Sequence, residues 1–195
     1  MSVPSDEILL AAYREGDSRA FATLLERYRG PLFTFLLRSA RERGRAEELY
    51  QDVWMRVIER CGEFRGDAKF STWLYTIARN LSIDHQRKMK FRGHASLDAA
   101  QPGSDHALGE RLQNPGPSTE AIAHGGLVRQ RIASAVDALP EEQREVFLLR
   151  QLQGLAFREI AEVVGAPANT VKSRMRYALE HLQRILSDLE EPNEL

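Results

Sequence analysis

The chain has 195 residues, of which 43% are hydrophobic and 28% are charged, a composition that is typical of soluble globular proteins and excludes wholesale disorder. No apolar run approaches the ~18 residues needed to cross a bilayer, and the N-terminus lacks the basic and apolar segments of a secretory signal, so we expect a cytoplasmic protein without membrane insertion. Cys61 is the only cysteine, which excludes an internal disulfide, and no Cys/His spacing suggests a zinc site. The formal net charge of -1 gives by itself no argument for nucleic-acid binding.

Residues 6–89 show the apolar spacing of several amphipathic helices. Apolar residues recur at positions i, i+3, i+4 and i+7 in two stretches. The first consists of Phe21, Leu24, Leu25 and Tyr28, and the second of Leu74, Ile77, Ala78 and Leu81. A further helix is indicated by the apolar residues Leu49, Val53, Trp54, Val57, Ile58 and Cys61. Glycine interrupts the pattern and predicts breaks between helices at Gly16-Asp17, Arg29-Gly30-Pro31 and Arg65-Gly66-Asp67.

The composition changes at residue 93. The stretch 93–118 is rich in glycine, proline and serine and has few large apolar residues, so it cannot bury enough surface to offset its ordering entropy. Helical patterning resumes near residue 119, and no convincing period-2 strand is present. We therefore predict an all-α protein of two small helical domains, an N-terminal helical bundle over 1–92 and a C-terminal domain over 119–187, joined by a flexible linker over 93–118.

The segment from Phe157 to Met175 has the spacing of a helix-turn-helix. Ala161 is a small residue where two helices cross, Gly165 lies in the turn, and Val171 is a buried branched residue of the second helix. The apolar face of that helix is formed by Val171, Met175, Ala178 and Leu182. A helix in the major groove would then place Asn169, Ser173, Arg176 and Tyr177 toward base edges, with Lys172 and Arg174 at the flanks toward phosphates. The alternative is a helical hairpin whose charges face solvent, and the joint spacing favours the helix-turn-helix.

A second group of informative residues lies at 70–92, where an amphipathic helix ends in the basic run Arg87, Lys88, Lys90 and Arg92. Trp73 and Asn80 are seven residues apart and share one edge of the apolar stripe, where an aromatic ring and an amide can stack on and hydrogen-bond an unpaired base. The alternative, which we favour for Trp73, is a core position. Phe64 and Phe70 flank the segment 65–69, which is either an ordered binding loop or a loop that these rings anchor in the core.

These segments, in this order and at this separation, resemble the extracytoplasmic-function group of bacterial sigma factors of the sigma-70 family. The opening DEILLAAYREGDSRAFATLLERYRGPLFTFLLR is similar to the first conserved region, and RAEELYQDVWMRVIER is similar to the region that docks on core RNA polymerase. STWLYTIARNLSIDHQR is similar to the pattern that melts and recognises the minus-10 element of a promoter. ALPEEQREVFLLRQLQGLAFREIAEVVGAPANTVKSRMRYALEHLQRIL is similar to the helix-turn-helix domain that recognises the minus-35 element.

The resemblance implies roles for the matching positions. The residues that would face the clamp helices of core polymerase are Glu47, Glu48, Gln51 and Asp52. The residues that would contact minus-10 DNA are Phe64, Arg65, Lys69, Asn80, Arg87 and Lys88, with the loop from Phe64 to Phe70 holding a base flipped from the melted strand. The residues that would contact minus-35 DNA are Asn169, Thr170, Lys172, Ser173, Arg174, Arg176 and Tyr177.

The function implied by the resemblance is that of a non-enzymatic subunit, which binds the clamp helices and flap region of core RNA polymerase and directs it to promoter DNA, both duplex and melted. No catalytic residue, metal site or cofactor is expected, and a cognate anti-sigma factor is a candidate partner because many members of the family have one. The alternative is a stand-alone helix-turn-helix repressor or activator, which would bind duplex DNA as a dimer on a palindrome. The segments 45–60 and 64–92 favour the sigma factor, because a repressor would not need them.

Overall fold

The structure, a computed structural model, describes residues 3–95 and 119–187. Every regular element within these residues is a helix. In chain order the elements are α1 (Asp6–Arg14), α2 (Ser18–Ala40), α3 (Arg43–Arg60), a short 3-10 turn (Cys61–Glu63), α4 (Phe70–Ala95), α5 (Thr119–Ala138), α6 (Glu141–Gln153), α7 (Phe157–Val164) and α8 (Ala168–Leu186). The predicted all-α class is thereby confirmed. Within these residues no helix combines the length and the apolar character needed to span a membrane.

The predicted linker lies mostly outside the described residues, which stop at 95 and resume at 119. Its first residues, 93–95, form the C-terminal end of α4. Helix α5 begins at Thr119, where the sequence predicts that helical patterning resumes.

Pro31 lies inside α2 rather than between two helices. The sequence predicts a break at Arg29-Gly30-Pro31, and this prediction is wrong because α2 continues without interruption from Ser18 to Ala40. A proline inside a helix removes one backbone hydrogen bond and costs about 3 kcal/mol. Buried side chains nevertheless continue past it at helical spacing, namely Leu24, Tyr28, Leu32, Phe35 and Leu36. Each large buried side chain contributes roughly 1.5–3 kcal/mol, so the stripe outweighs the missing bond.

The other two predicted breaks are confirmed. Gly16 lies between α1 and α2 with φ at +102°, and Gly66 lies between the 3-10 turn and α4 with φ at +79°. Residues with a side chain rarely adopt such angles, so glycine is the residue that fits both turns. The carboxylate of Asp17 then caps α2 by accepting the backbone N–H of Arg19 at 2.9 Å.

The N-terminal bundle, α1–α4, packs around an aromatic core. Phe35 of α2 and Tyr75 of α4 are fully buried and meet edge to face, with ring centroids 5.2 Å apart. Asp6 fastens α1 to α2 because its carboxylate accepts hydrogen bonds from the Tyr28 hydroxyl and the Arg27 guanidinium. The bundle therefore holds α3 and α4, which carry the predicted docking and minus-10 residues, on one scaffold.

The C-terminal helices, α5–α8, carry a buried cation that faces α2 and α4. Arg144 of α6 is only 4% exposed, and burial lowers its pKa. Its guanidinium donates to the backbone carbonyls of Asp137 and Leu139, both at 3.2 Å. Asp137 lies in the last turn of α5 and Leu139 follows the helix, and Arg144 pairs with carbonyls that no further helical N–H reaches, so it closes the α5–α6 corner.

Replacing Arg144 with methionine, which keeps most of the apolar volume, is expected to destabilise the C-terminal domain by about 2–3 kcal/mol, because buried carbonyls lose a charged donor. Thermal unfolding followed by circular dichroism should show the corresponding transition shifted down by roughly 10 °C. The matched change Arg158→Met alters an exposed arginine on α7 and should leave the transition in place. Equal transitions in the two variants would contradict the capping role of Arg144.

Candidate nucleic-acid interface

The loop that precedes α4 is anchored by aromatic rings at both ends. Phe70 is fully buried, and the ring of Phe64 lies 6.3 Å from it and 5.2 Å from the ring of Trp73, centroid to centroid. Phe64 and Trp73 are both half-buried, so each has one side in the core and one side at the surface. The rings therefore anchor the loop in the core and still leave an aromatic surface beside α4, and the role of this loop in binding DNA stays a prediction.

The start of α4 is capped by a residue from a distant helix. The carboxylate of Glu7, on α1, accepts the backbone N–H of Phe70 at 3.0 Å, and this hydrogen bond lowers the pKa of Glu7. A negative charge at a helix N-terminus is favourable because it complements the exposed N–H groups there. Sequence analysis missed Glu7, since its partner lies 63 positions away and no local pattern connects them.

The predicted minus-10 residues form a strip along the loop and α4. Arg65, Lys69, Asn80, Arg87 and Lys88 are all exposed. Asn80 and Arg87 follow Trp73 at successive intervals of seven residues, about two helical turns or ~10 Å each, so they lie on one side of α4. Of the basic run, Lys90 and Arg92 lie outside the residues whose side chains are described.

Lys69 already has a partner from the C-terminal half of the chain. Its ammonium group lies 2.8 Å from a carboxylate oxygen of Glu159 on α7. The hydrogen bond raises the pKa of Lys69 and lowers that of Glu159, so both groups are charged at neutral pH. DNA contact by Lys69 therefore requires this ion pair to open.

Helices α7 and α8 form the predicted helix-turn-helix. The turn begins with Gly165, whose φ of +64° ends α7 in the left-handed region. The buried face of α8 consists of the predicted residues Val171, Met175, Ala178 and Leu182. The side chains exposed on the rest of the helix include Asn169, Thr170, Lys172, Ser173, Arg176 and Tyr177.

Arg176 is oriented by its neighbours on α8. Its guanidinium carbon lies 4.6 Å from the centroid of the Tyr177 ring, and its Nη1 lies 3.7 Å from Oε1 of Glu180. Stacking and ion pairing limit the conformations of a side chain that is otherwise 62% exposed. A guanidinium held in this way can approach a base edge at lower entropic cost.

Arg174 differs from the other basic residues of α8. It is half-buried, and its guanidinium lies 2.7 Å from the carboxylate of Glu142 on α6. Sequence spacing places Arg174 at the flank of the helix, but it does not reveal this acidic partner. A phosphate contact by Arg174 would compete with Glu142.

The predicted docking surface is an exposed ridge on α3. Glu47, Glu48, Gln51 and Asp52 are exposed, while Leu49 and Trp54 are buried beneath them. The ridge continues into Met55, which is 56% exposed, and Ile58, which is 38% exposed. Apolar exposure next to charge is typical of a protein interface. Sequence analysis gave Met55 no role and used Ile58 only as one of the apolar residues that indicate α3, because apolar spacing does not show which of these side chains a neighbouring helix covers.

Comparisons with known proteins match both halves of the chain. Residues 24–92 match the family model described as Sigma-70 region 2, and residues 129–182 match the model described as Sigma-70, region 4. The RNA polymerase sigma-H factor of Pseudomonas aeruginosa is 29% identical over 188 residues, 94% of this chain and 95% of the relative. The ECF RNA polymerase sigma-E factor of Escherichia coli K12 is 29% identical over 189 residues, 95% and 96% of the two chains.

Solved structures resemble the chain over most of its length. The sigma factor RpoE from Bartonella quintana, solved with the anti-sigma factor NepR, is 25% identical with a TM-score of 0.63, over 86% of this chain and 96% of that one. CnrH, solved with the cytosolic domain of CnrY, has a TM-score of 0.64 at 23% identity, over 96% of this chain and all of the other. The latter similarity concerns the fold alone.

Proposed function

Because this chain belongs to the sigma-70 family, in its extracytoplasmic-function group, we propose that it binds core RNA polymerase and directs it to specific promoters. The observation that carries this proposal is the pairing, in one chain, of region 2 and region 4 matches at 24–92 and 129–182. Sigma factors are non-enzymatic initiation factors, and we propose that this chain likewise contributes binding and no catalytic group. We further propose that it acts in the cytoplasm, where its polymerase would be.

Residues 1–92 serve in this proposal as the domain that docks on polymerase and recognises the minus-10 element. The acidic ridge of α3 would contact the clamp helices, and the loop before α4 would hold a base flipped from the melted strand. The half-buried rings of Phe64 and Trp73 support this role, because aromatic surface is what unpaired bases stack on. The exposed amide of Asn80 and the cations of Arg65, Arg87 and Lys88 would supply hydrogen bonds and phosphate contacts.

Residues 119–187 serve as the domain that recognises the minus-35 element, with α8 in the major groove. Exposed polar groups of α8 would contact base edges, and Lys172 would contact the phosphate backbone. The flap region of polymerase is a further proposed contact, supported by the open apolar groove of about 570 Å³ between α5 and α8. A cognate anti-sigma factor is a proposed regulator, supported by the anti-sigma complex of the similar RpoE.

Reconstitution with core polymerase tests the proposal against the alternative of a stand-alone regulator. The sigma factor should co-purify with core enzyme in a one-to-one complex and start run-off transcripts on a subset of genomic fragments. A stand-alone regulator would instead bind duplex DNA without polymerase, as a dimer on a palindrome. Tight palindrome binding by the isolated chain, together with no assembly with core enzyme, would overturn the proposed function.

A further inference from the structure

The minus-10 loop, residues 64–70, ends at Phe70, which is held both by its ring and by its backbone. The fully buried ring meets the ring of Tyr28 on α2, with the centroids 5.5 Å apart and the ring planes at 66°. The backbone N–H donates to a carboxylate oxygen of Glu7 on α1 at 3.0 Å. Two separate helices therefore fix the point at which the loop becomes α4.

The position before Phe70 carries a residue that cannot cap the helix. The carbonyl of Lys69 accepts the backbone N–H of Trp73 at 3.2 Å, so Lys69 stands at the N-cap of α4. Helices usually have Ser, Thr, Asp or Asn there, because these side chains accept a free N–H of the first turn, whereas a lysine ammonium can only donate. Glu7 supplies from another helix an acceptor that this cap position lacks.

The carboxylate of Glu7 has a fixed position because α1 is fastened to α2 at the adjacent residue. The carboxylate of Asp6 accepts hydrogen bonds from the Tyr28 hydroxyl and the Arg27 guanidinium. Arg27 also donates to the backbone carbonyl of Pro4 at 3.1 Å, which holds the segment that leads into α1. A hydrogen-bonding group on a supported helix holds its partner more precisely than a group on a loop does.

The position of Phe70 sets the position of the aromatic surface, which consists of the half-buried rings of Phe64 and Trp73. The Phe70 ring lies 6.3 Å from the Phe64 ring and 6.0 Å from the Trp73 ring, centroid to centroid. Between these rings the loop is exposed at residues 65–67. An exposed loop opens locally at low free-energy cost unless its ends are held. The hydrogen bond to Glu7 therefore acts on the aromatic surface through Phe70.

We propose that Glu7 is a positioning residue for recognition of the unpaired minus-10 base, and that it acts by holding Phe70 and thereby the aromatic surface. The inference rests on the proposed function, because it requires that the minus-10 loop binds a base. Glu7 lies outside the family match, which begins at residue 24. Its negative charge is unsuited to contact a phosphate, so its effect on DNA is indirect. A surface that is already ordered binds a base at lower entropic cost.

Three substitutions of Glu7 separate its hydrogen bond from its charge. Glu7→Gln keeps the length of the side chain and an oxygen that accepts the N–H of Phe70, but removes the charge. Glu7→Asp keeps the charge and shortens the side chain by one methylene, which moves the carboxylate beyond hydrogen-bond distance, and Glu7→Ala removes both. Asp17→Ala is the matched control, since Asp17 caps α2 by accepting the N–H of Arg19 at 2.9 Å and lies past the opposite end of α1.

The first measurement follows Trp73 in the free, full-length chain. Trp54→Phe in every variant leaves Trp73 as the only tryptophan, and acrylamide quenching of its fluorescence reports how far solvent reaches the ring. Glu7→Ala and Glu7→Asp should raise the quenching constant about 1.5-fold, because the start of α4 opens more often. Glu7→Gln and Asp17→Ala should keep the parent value, and circular dichroism should show the same helical content in all variants.

The second measurement follows base preference in the complex with core polymerase. Single-stranded minus-10 oligonucleotides, varied one position at a time, give the ratio of affinities for the preferred base and the other bases. Glu7→Ala and Glu7→Asp should lower this ratio about fivefold at one position and leave the other positions within about twofold, since only the base held on the aromatic surface depends on the loop. Glu7→Gln and Asp17→Ala should keep the parent ratio at every position. A general loss of stability would not change the ratio at one position alone.

The outcomes separate the two proposals. Positioning by Glu7 would be overturned by unchanged base preference in a folded Glu7→Ala chain, by an equal loss in Asp17→Ala, or by a loss in Glu7→Gln as large as in Glu7→Ala. A parent complex without base preference at any position would overturn the proposed minus-10 function instead. In that case stronger quenching in Glu7→Ala than in Glu7→Gln would support Glu7 as the anchor of the loop, and equal quenching would overturn it.

Discussion

Replacing Gln51 and Asp52 together with lysine is expected to weaken binding to core RNA polymerase by about 100-fold, or roughly 3 kcal/mol. Both residues are exposed on the α3 ridge, whose three carboxylates, on Glu47, Glu48 and Asp52, suit a basic partner surface. Two new cations would meet like charge there, which costs far more than loss of a favourable rim contact. Titration of labelled chain with core enzyme measures the effect, and the helical circular dichroism should not change.

The matched control is Glu15→Lys. Glu15 is exposed directly after α1, and its replacement adds two positive charges, against three in the docking variant. Its affinity for core enzyme should stay within about twofold of the parent. Normal assembly of the Gln51 and Asp52 variant would show that the ridge does not dock. A further variant, Met55→Ser, then distinguishes a charged contact from an apolar one, because Met55 is the largest exposed apolar side chain of the ridge.

Arg176→Ala is expected to relax base preference at one position of the minus-35 element, with a loss of about 1–3 kcal/mol, or roughly 5- to 150-fold, against the preferred base. The physical reason is that a guanidinium makes two parallel hydrogen bonds with guanine. Stacking on the Tyr177 ring orients the Arg176 guanidinium for these bonds. Promoter selection by the polymerase complex on a library randomised across the minus-35 element measures the change.

Lys172→Ala is the matched control, since Lys172 is equally exposed on α8 but is predicted to contact phosphate. It should weaken binding to all sequences alike and lower the slope of log affinity against log salt by about one. The reverse outcome, in which Lys172→Ala alters base preference and Arg176→Ala does not, would mean that α8 is rotated about its axis relative to this assignment. The family assignment would stand, and the assignment of base-contacting residues would be wrong.

Features with a local cause could be predicted from the sequence. The buried stripe of α8 was recoverable because a helix repeats every 3.6 residues, so Val171, Met175, Ala178 and Leu182 reveal their common face without knowledge of any neighbour. The turns at Gly16 and Gly66 could likewise be predicted, because both need a positive φ angle, and glycine adopts such angles without steric cost. Exposure of the polar residues of α8 and of the α3 ridge follows from the same periodicity.

Tertiary packing decided the rest. Gly30-Pro31 has the local chemistry of a break, yet the burial of Leu32, Phe35 and Leu36 keeps α2 continuous. Pairs such as Glu7 with the N–H of Phe70 and Arg174 with Glu142 join residues 63 and 32 positions apart (174 minus 142), and no periodicity relates such positions. Lys69 shows the difference most clearly. The family resemblance implies a DNA contact for Lys69, whereas the fold pairs it with Glu159, because two oppositely charged halves of the chain come together at that point.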